Sequence, residues 1–188
     1  TPVNFNEKKV SIPPYVLGYL LGDGCITSIS SSISIGSLDK EESLININNC
    51  LSNKSYKLRT IGRDSRDVDF AFENAVGLTK ELKALNLLGT NSYTKFIPKE
   101  YLYNTVENRL ALLQGLMDTD GTCGGKKSHC IYYTMSDQLA QDVKELALSF
   151  GLYASISKIK RKYSGLAKKS CEKNGIIDSV SEINEVYF

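Results

Sequence analysis

Apolar positions recur along this chain with two periods. Val68, Phe70 and Phe72 alternate with Asp67, Asp69 and Ala71, and Tyr56 and Leu58 alternate with Lys57 and Arg59, the period-two pattern of half-buried strands. Ile33 and Ile35 alternate with serines, in a serine-rich stretch that blurs the pattern. Elsewhere the spacing is helical. Leu44, Ile47 and Leu51 form one stripe behind Asp39-Lys-Glu-Glu42, which has capping-box form, and predict a helix over 39–51. A second helix is predicted near 79–88, closed by Gly89. Ser136 caps a cleaner one, with Leu139, Val143, Leu146, Ala147 and Phe150 on one face and Gly151 as its stop.

Two apolar runs end alike: VLGYLLGDG at 16–24 and LQGLMDTDG at 113–121. One offset of 97 residues carries Gly18 onto Gly115, Asp23 onto Asp120 and Gly24 onto Gly121, and also Asp39 onto Ser136 and Tyr56 onto Tyr153, each tyrosine at a strand start. A repeat of this size predicts two copies of one unit about a pseudo-two-fold axis. The first copy reads helix, two strands, helix, two strands, helix. In the second, Ile131, Tyr133 and Met135 alternate, Tyr153 to Lys160 reads as a strand, and Ile176 to Glu185 falls where the offset places a terminal helix.

The helices that end in Asp-Gly carry the chemistry. Pro13 and Pro14 suit the first turn of one. The other, near 105–118, is expected to start at Asn104 with Glu107 as the reciprocal cap, and Leu110 to Leu113, Leu116 and Met117 make it apolar nearly all round. Gly18 and Gly22, and Ala111 and Gly115, put small residues on one face of each, which lets two helix backbones approach closely. Pairing the helices brings Asp23 and Asp120 together at their C-terminal ends. A carboxylate there meets the negative end of the helix dipole, and two carboxylates repel. Mg²⁺, which takes oxygen ligands, relieves both, and the carbonyls of Gly22 and Thr119 can assist. Gly24 and Gly121 are expected to permit a left-handed exit from each helix.

Composition narrows the setting. With 41% hydrophobic and 23% charged residues the chain is a globular one, long enough for one large domain or two small ones. The net charge of +2 says little. Between Ala154 and Asn174, however, seven lysines and arginines face only Glu172, a surface suited to a polyanion. His129 is the sole histidine, which excludes a histidine-cluster metal site. The five cysteines, Cys25, Cys50, Cys123, Cys130 and Cys171, are odd in number and show no CxxC spacing. They predict a reduced compartment without a disulfide framework, and their spacing with His129 does not support zinc. No apolar stretch is long enough to span a bilayer. The chain opens at Thr1 without Met, as a fragment or processed product would.

LQGLMDTDG closely resembles the LAGLIDADG motif of the homing endonucleases, and VLGYLLGDG resembles the more variable first motif of single-chain, two-motif members. Lys95-Phe-Ile-Pro98 with Lys99 to Leu102, and Ser136 to Leu152, resemble further blocks of intein-borne endonucleases, so that the resemblance covers 11–162. It implies an α+β fold of two αββαββα units, residues 1–94 and 95–188 with a linker near 90–104, forming a saddle over double-stranded DNA around a central helix pair. A monomer would act as a pseudo-dimer.

The implied activity is a Mg²⁺-dependent staggered double-strand cut at a long target site. Mn²⁺ is expected to substitute, and Ca²⁺ to support binding without efficient cleavage. Asp23 and Asp120 match the catalytic, metal-binding aspartates. The family also uses a basic residue near the metals, for which Lys57, Lys158 and Lys160 are candidates. Lys57, Arg59, Arg63, Lys126, Lys127, Lys158, Lys160 and Lys162 are the expected DNA contacts. An intracellular protein acting on its host genome follows, fused in its precursor to a protein-splicing domain; with no nucleophile at position 1 and no terminal His-Asn, splicing by this chain is not expected. An RNA maturase of the same fold and an inactive DNA-binding regulator stay open as alternatives.

Overall fold

Pro13 and Pro14 start the first helix as the sequence suggests: α1 runs Pro14–Leu21, with proline in a turn whose amides need no intrahelical partner. The computed structural model describes residues 1–27, 31–36, 40–63, 67–124, 129–162 and 180–188. After α1 come β1 (Gly24–Ile26), β2 (Ser31–Gly36), α2 (Lys40–Cys50), β3 (Lys57–Arg63), β4 (Asp67–Glu73) and α3 (Val76–Ala84). A short α4 (Lys99–Leu102) leads into α5 (Val106–Asp120), followed by β5 (Gly121–Gly124), β6 (His129–Thr134), α6 (Asp137–Ser149), β7 (Ser155–Lys162) and β8 (Val180–Tyr187).

Each half builds one antiparallel sheet of the same design, β1-β2-β4-β3 and β5-β6-β8-β7. This α+β architecture bears out the αββαββα reading for the first half. The second half differs at its end. Residues 180–185, expected in a terminal helix, belong to β8, which pairs with both β6 and β7. The sheet needs a central strand there, and Val186 fills its buried face while Asn184 reaches Asp137 at the start of α6.

The core runs through both halves. α1 contributes Tyr15 to Leu21, β2 and β4 contribute Ile33, Ile35, Val68, Phe70 and Phe72, and α6 contributes Leu139, Val143 and Leu146. On β6 the buried positions are Tyr132 and Thr134, so the sequence reading of Ile131 and Tyr133 as the apolar face is corrected: they lie on the opposite face of the sheet.

Other sequence expectations shift by local chemistry. Thr105, not Asn104, caps α5, accepting the Asn108 amide; Asn104 is wholly buried and ties Lys8 to this turn through both its amide oxygen and nitrogen. α5 buries one side only, since Leu110 stays half exposed. α3 stops at Ala84, because Asn86 takes a positive φ of 57°, and Gly89 lies in the loop beyond. Ser136 caps α6 as expected, whereas Asp39 falls outside the described residues. Tyr56 is buried with its hydroxyl on Glu81, but its counterpart Tyr153 is 84% exposed, so the repeat does not extend to that pair. Cys123 and Cys130 form a disulfide, contrary to the expectation of free thiols. They sit directly opposite on β5 and β6, and because Cys130 exchanges its backbone hydrogen bonds with Phe188, the Cys123 side of it is a non-bonded position where side chains come closest.

Residues 1–12 cross to the second half. The Val3 amide donates to Ser149 O, and the guanidinium of the buried Arg109 donates to Val3 O, Asn104 O and Ser149. The Ile12 amide donates to the Tyr101 hydroxyl, which returns a bond to Ile12 O. Among the described residues no helix is long and apolar enough to cross a membrane.

Candidate active site at the helix ends

α1 and α5 touch through their backbones. A β-carbon added at Gly18 would lie 2.3 Å from Leu112 O, and one at Gly115 would lie 2.1 Å from Tyr15 O. One at Gly22 would overlap Thr119 Oγ1, so the small residue opposing Gly22 is Thr119; Ala111 lies off the closest contact, between Tyr15 and Gln114 in a surface cavity. Thr119 Oγ1 donates back to Leu116 O, folding its hydroxyl against its own helix.

The helix ends are alike in kind and unequal in detail. α1 ends at Leu21, leaving Asp23 beyond the cap and exposed; α5 continues through Asp120, which is partly buried. Gly24 and Gly121 do not take the left-handed exit. Gly121 is extended at φ −95°, and neither glycine has a positive φ. They are small because a β-carbon at Gly24 would meet Leu20 O at 2.3 Å, and one at Gly121 would meet Met117 O at 2.4 Å, as the first strand folds back on the helix it leaves.

The two carboxyl groups act on one another. Burial first, and then the charge of Asp23, push Asp120 up to about 6, while Lys95 pulls it down. Sequence reasoning missed Lys95. Its ammonium donates to Gly22 O and Gly24 O, 2.8 Å each, on either side of Asp23. It is only 5% exposed. Burial pushes Lys95 down to about 8, opposed by Asp120, Asp23 and Cys25. Its backbone is fixed within the second half, where Ser136 Oγ donates to Lys95 O and Asp142 accepts the Ile97 amide. The block at 95–98 was visible as a motif, but nothing local marked its lysine as buried.

Two open cavities flank this lysine. One, of about 600 Å³, holds Asp23, Cys25 and Thr27; the other, of about 260 Å³, holds Asp120, Tyr133 and Ile183. Gly22, Ser92 and Lys95 border both. Gly22 O, a carbonyl expected to assist a cation, is thus already bonded to Lys95. Among the described residues no three His, Cys, Asp or Glu side chains gather as a metal-binding group. Two carboxylates fit a cation that draws its remaining ligands from waters and phosphate oxygens, as Mg²⁺ does.

The other expected cations divide by sheet face. Lys57 and Arg59 are exposed, and their register opposite Glu73 and Ala71 sets them on the open side of the first sheet, with Arg59 paired to Glu73 at 2.9 Å. Lys158 and Lys160 do not share this placement. Their register with Asn184 and Glu182 puts them on the side of Ile156 and Val186, toward α6, where Lys158 pairs with Asp137 at 2.8 Å and Lys160 with Glu182 at 3.6 Å. A one-residue difference in parity thus sets these two lysines on the face of their sheet opposite to the one that carries Lys57 and Arg59 in the first. Neither lysine is among the charges acting on Asp120. Arg63 and Lys162 belong to β3 and β7 with side chains outside the described residues, and Lys126 and Lys127 lie outside them altogether.

Comparison with known proteins agrees with this architecture. The model of the LAGLIDADG-like domain matches residues 107–179. A replicative DNA helicase DnaB of Mycobacterium intracellulare is 32% identical over 148 residues, covering 77% of this chain and 20% of that protein. A DNA gyrase of Mycobacterium kansasii is 29% identical over 97 residues, covering 50% of this chain and 18% of the matched gyrase polypeptide. The chain therefore spans about a fifth of the length of these relatives. Among solved structures, the N-terminal LAGLIDADG domain of DUF199/WhiA matches 95% of this chain and 75% of that chain, with a TM-score of 0.57 and 13% identity. The homing endonuclease I-DmoI in complex with DNA and Ca matches 94% of this chain and 82% of that one, with a TM-score of 0.53 and 13% identity. The family match is carried by part of the second half, and the fold of both halves is similar to that of these LAGLIDADG structures.

Proposed function

We propose that this chain is the endonuclease segment of an intein, cutting both strands of a long DNA site with Mg²⁺. The observation that carries the reading is the pair Asp23 and Asp120, placed at the ends of backbone-close helices so that each carboxylate and the buried Lys95 ammonium act on one another through their charges. Two dissimilar hosts, a helicase and a gyrase, each contain a matching segment that makes up about a fifth of their length. A mobile insert explains that better than a shared host activity. The solved neighbours include I-DmoI with DNA and Ca, and with DNA and Mn.

Asp23 and Asp120 would hold the cation, which supplies an activated water and neutralises the leaving oxygen of the phosphodiester. Each carboxylate lines its own cavity, one for each scissile phosphate. Lys95 is the basic residue of the site. Its buried ammonium stands between the two cavities, where it balances negative charge and, with its proton loosely held, can exchange that proton with a reacting oxygen. Lys57 and Arg59 on the open sheet face meet the DNA backbone. The units 1–94 and 95–188 act as pseudo-symmetric halves of a monomer.

The test is incubation with the host gene lacking its intervening sequence, with Mg²⁺ or with chelator. Metal-dependent double-strand cutting at the insertion point is expected. Binding there without any cutting, in Mg²⁺ and in Mn²⁺, would leave a DNA-binding regulator instead.

A further inference from the structure

Tyr132 carries an unexplained cost. It is wholly buried, and its hydroxyl has no hydrogen-bond partner, the one such side-chain atom among the described residues. Burying an unpaired hydroxyl is destabilising, and phenylalanine would fill the same space without that cost. An orphaned buried polar group in a folded protein calls for an explanation, and a catalytic or ion-linked role is one. The surroundings say which role. Tyr132 lies on β6 directly across from Gly121, the residue that follows Asp120. Gly121 presents no side chain there, so the tyrosine ring is not screened from the end of α5. The charges that reach its hydroxyl are those of Asp120 and then Asp23. Two positions along the same face, Thr134 lines the cavity that holds Asp120.

We propose that Tyr132 is a positioning residue of the cation-loaded site, its hydroxyl donating to the carboxylate of Asp120 and so fixing which oxygen is left for the cation. The proposal rests on the reading of Asp120 as a metal ligand. A carboxylate that binds a metal through one oxygen is held by donors to the other, and loss of such a donor costs about 10–100-fold in metal affinity. Tyr132 is a fully buried hydroxyl donor without a hydrogen-bond partner on the strand that faces α5's last turn. Its counterpart at an offset of 97 is Ile35, so the device serves the Asp120 side alone.

The experiment compares wild type, Tyr132→Phe and Tyr56→Phe. In chelator, urea unfolding should find Tyr132→Phe at least as stable as wild type, and Tyr56→Phe less stable, because the Tyr56 hydroxyl is bonded to Glu81. Mn²⁺ binding, followed by electron paramagnetic resonance, should weaken about tenfold or more in Tyr132→Phe and stay unchanged in Tyr56→Phe. In wild type alone, the ring ¹³Cζ resonance of Tyr132 should move on titration with Mg²⁺. Equal Mn²⁺ affinity in wild type and Tyr132→Phe, or a Tyr132 resonance that ignores Mg²⁺ while wild type binds it, overturns the role of Tyr132 and leaves the metal site standing. A wild type that binds no Mn²⁺ overturns both.

Discussion

Gly115→Ala is the sharpest structural test of the α1–α5 contact. A β-carbon at Gly115 would sit 2.1 Å from Tyr15 O and 3.0 Å from Tyr19 N, against backbone that cannot rotate aside. Restoring ordinary contact requires the helices to part locally by about 1 Å, which is overpacking and costs roughly 1–3 kcal/mol. Alanine returns about 1 kcal/mol of helix propensity, so overpacking alone leaves a net loss of at most about 2 kcal/mol, expected near that upper end because the contact is against backbone, and more if the core between the helices is disturbed. Gly77→Ala is the matched control. Gly77 also lies in a helix, α3, but its β-carbon would meet only the Ser55 hydroxyl at 3.3 Å and the Tyr56 ring at 3.6 Å. The exposed Ser55 can turn away, and a gain of roughly 0.4–1 kcal/mol is expected. Gly18→Ala, which would meet Leu112 O at 2.3 Å, should cost as much as Gly115→Ala. The double variant should cost less than the sum, since the first substitution has already parted the helices. Urea unfolding with unchanged m-values measures all four. A Gly115→Ala protein within about 0.5 kcal/mol of wild type would refute the backbone contact.

Three further outcomes follow from the site. In chelator, Asp120 has a folded pKa of about 6 against an ordinary 3.8, so its contribution favours the folded state below pH 4 and is lost as pH rises through 6. Asp120→Asn should remove that loss, about 1–3 kcal/mol at pH 7, and flatten the urea midpoint between pH 4.5 and 7.5; parallel curves for the two proteins would reject it. Asp23→Asn and Asp120→Asn should each abolish double-strand cutting in Mg²⁺ while DNA binding in Ca²⁺ survives, strand-labelled substrate showing residual nicks of opposite bias; wild-type cutting by either variant rejects the assignment. Replacing Lys57 and Arg59 by glutamine should reduce the salt dependence of DNA affinity by about two charges' worth, and replacing Lys158 and Lys160 should change it less. The reverse order would place the DNA on the other side of the second sheet.

Local patterns were enough to find the central helices, the alternation of β4 and the Ser136 cap, because each depends on residues within one element. The carboxylate pair was legible because the repeat itself implied a symmetric contact. What failed depended on distance or parity. Lys95 becomes a buried ammonium only because carbonyls some seventy residues earlier accept its protons. The roles of Gly24 and Gly121 look like helix exits in sequence, but the strand folding back on its own helix makes them contact residues. Lys158 and Lys160 sit one position out of step with the open face, and composition does not register parity. β8 hides its strand character by placing Asn184 and Glu185 among its buried positions, and so reads as weakly apolar.

The crossing of residues 1–12 sets an order on biosynthesis. Val3 is anchored by Arg109 and Ser149, and Ile12 by Tyr101, so the leading segment has no seat until the second half exists. At roughly 5–20 residues per second, the stretch from Val3 to Ser149 takes about 7–30 seconds to synthesise. Until α5 has been made, the glycine-bearing face of α1 lacks its partner. The packing of α1 against α5 must therefore wait for residues that begin more than eighty positions further along the chain.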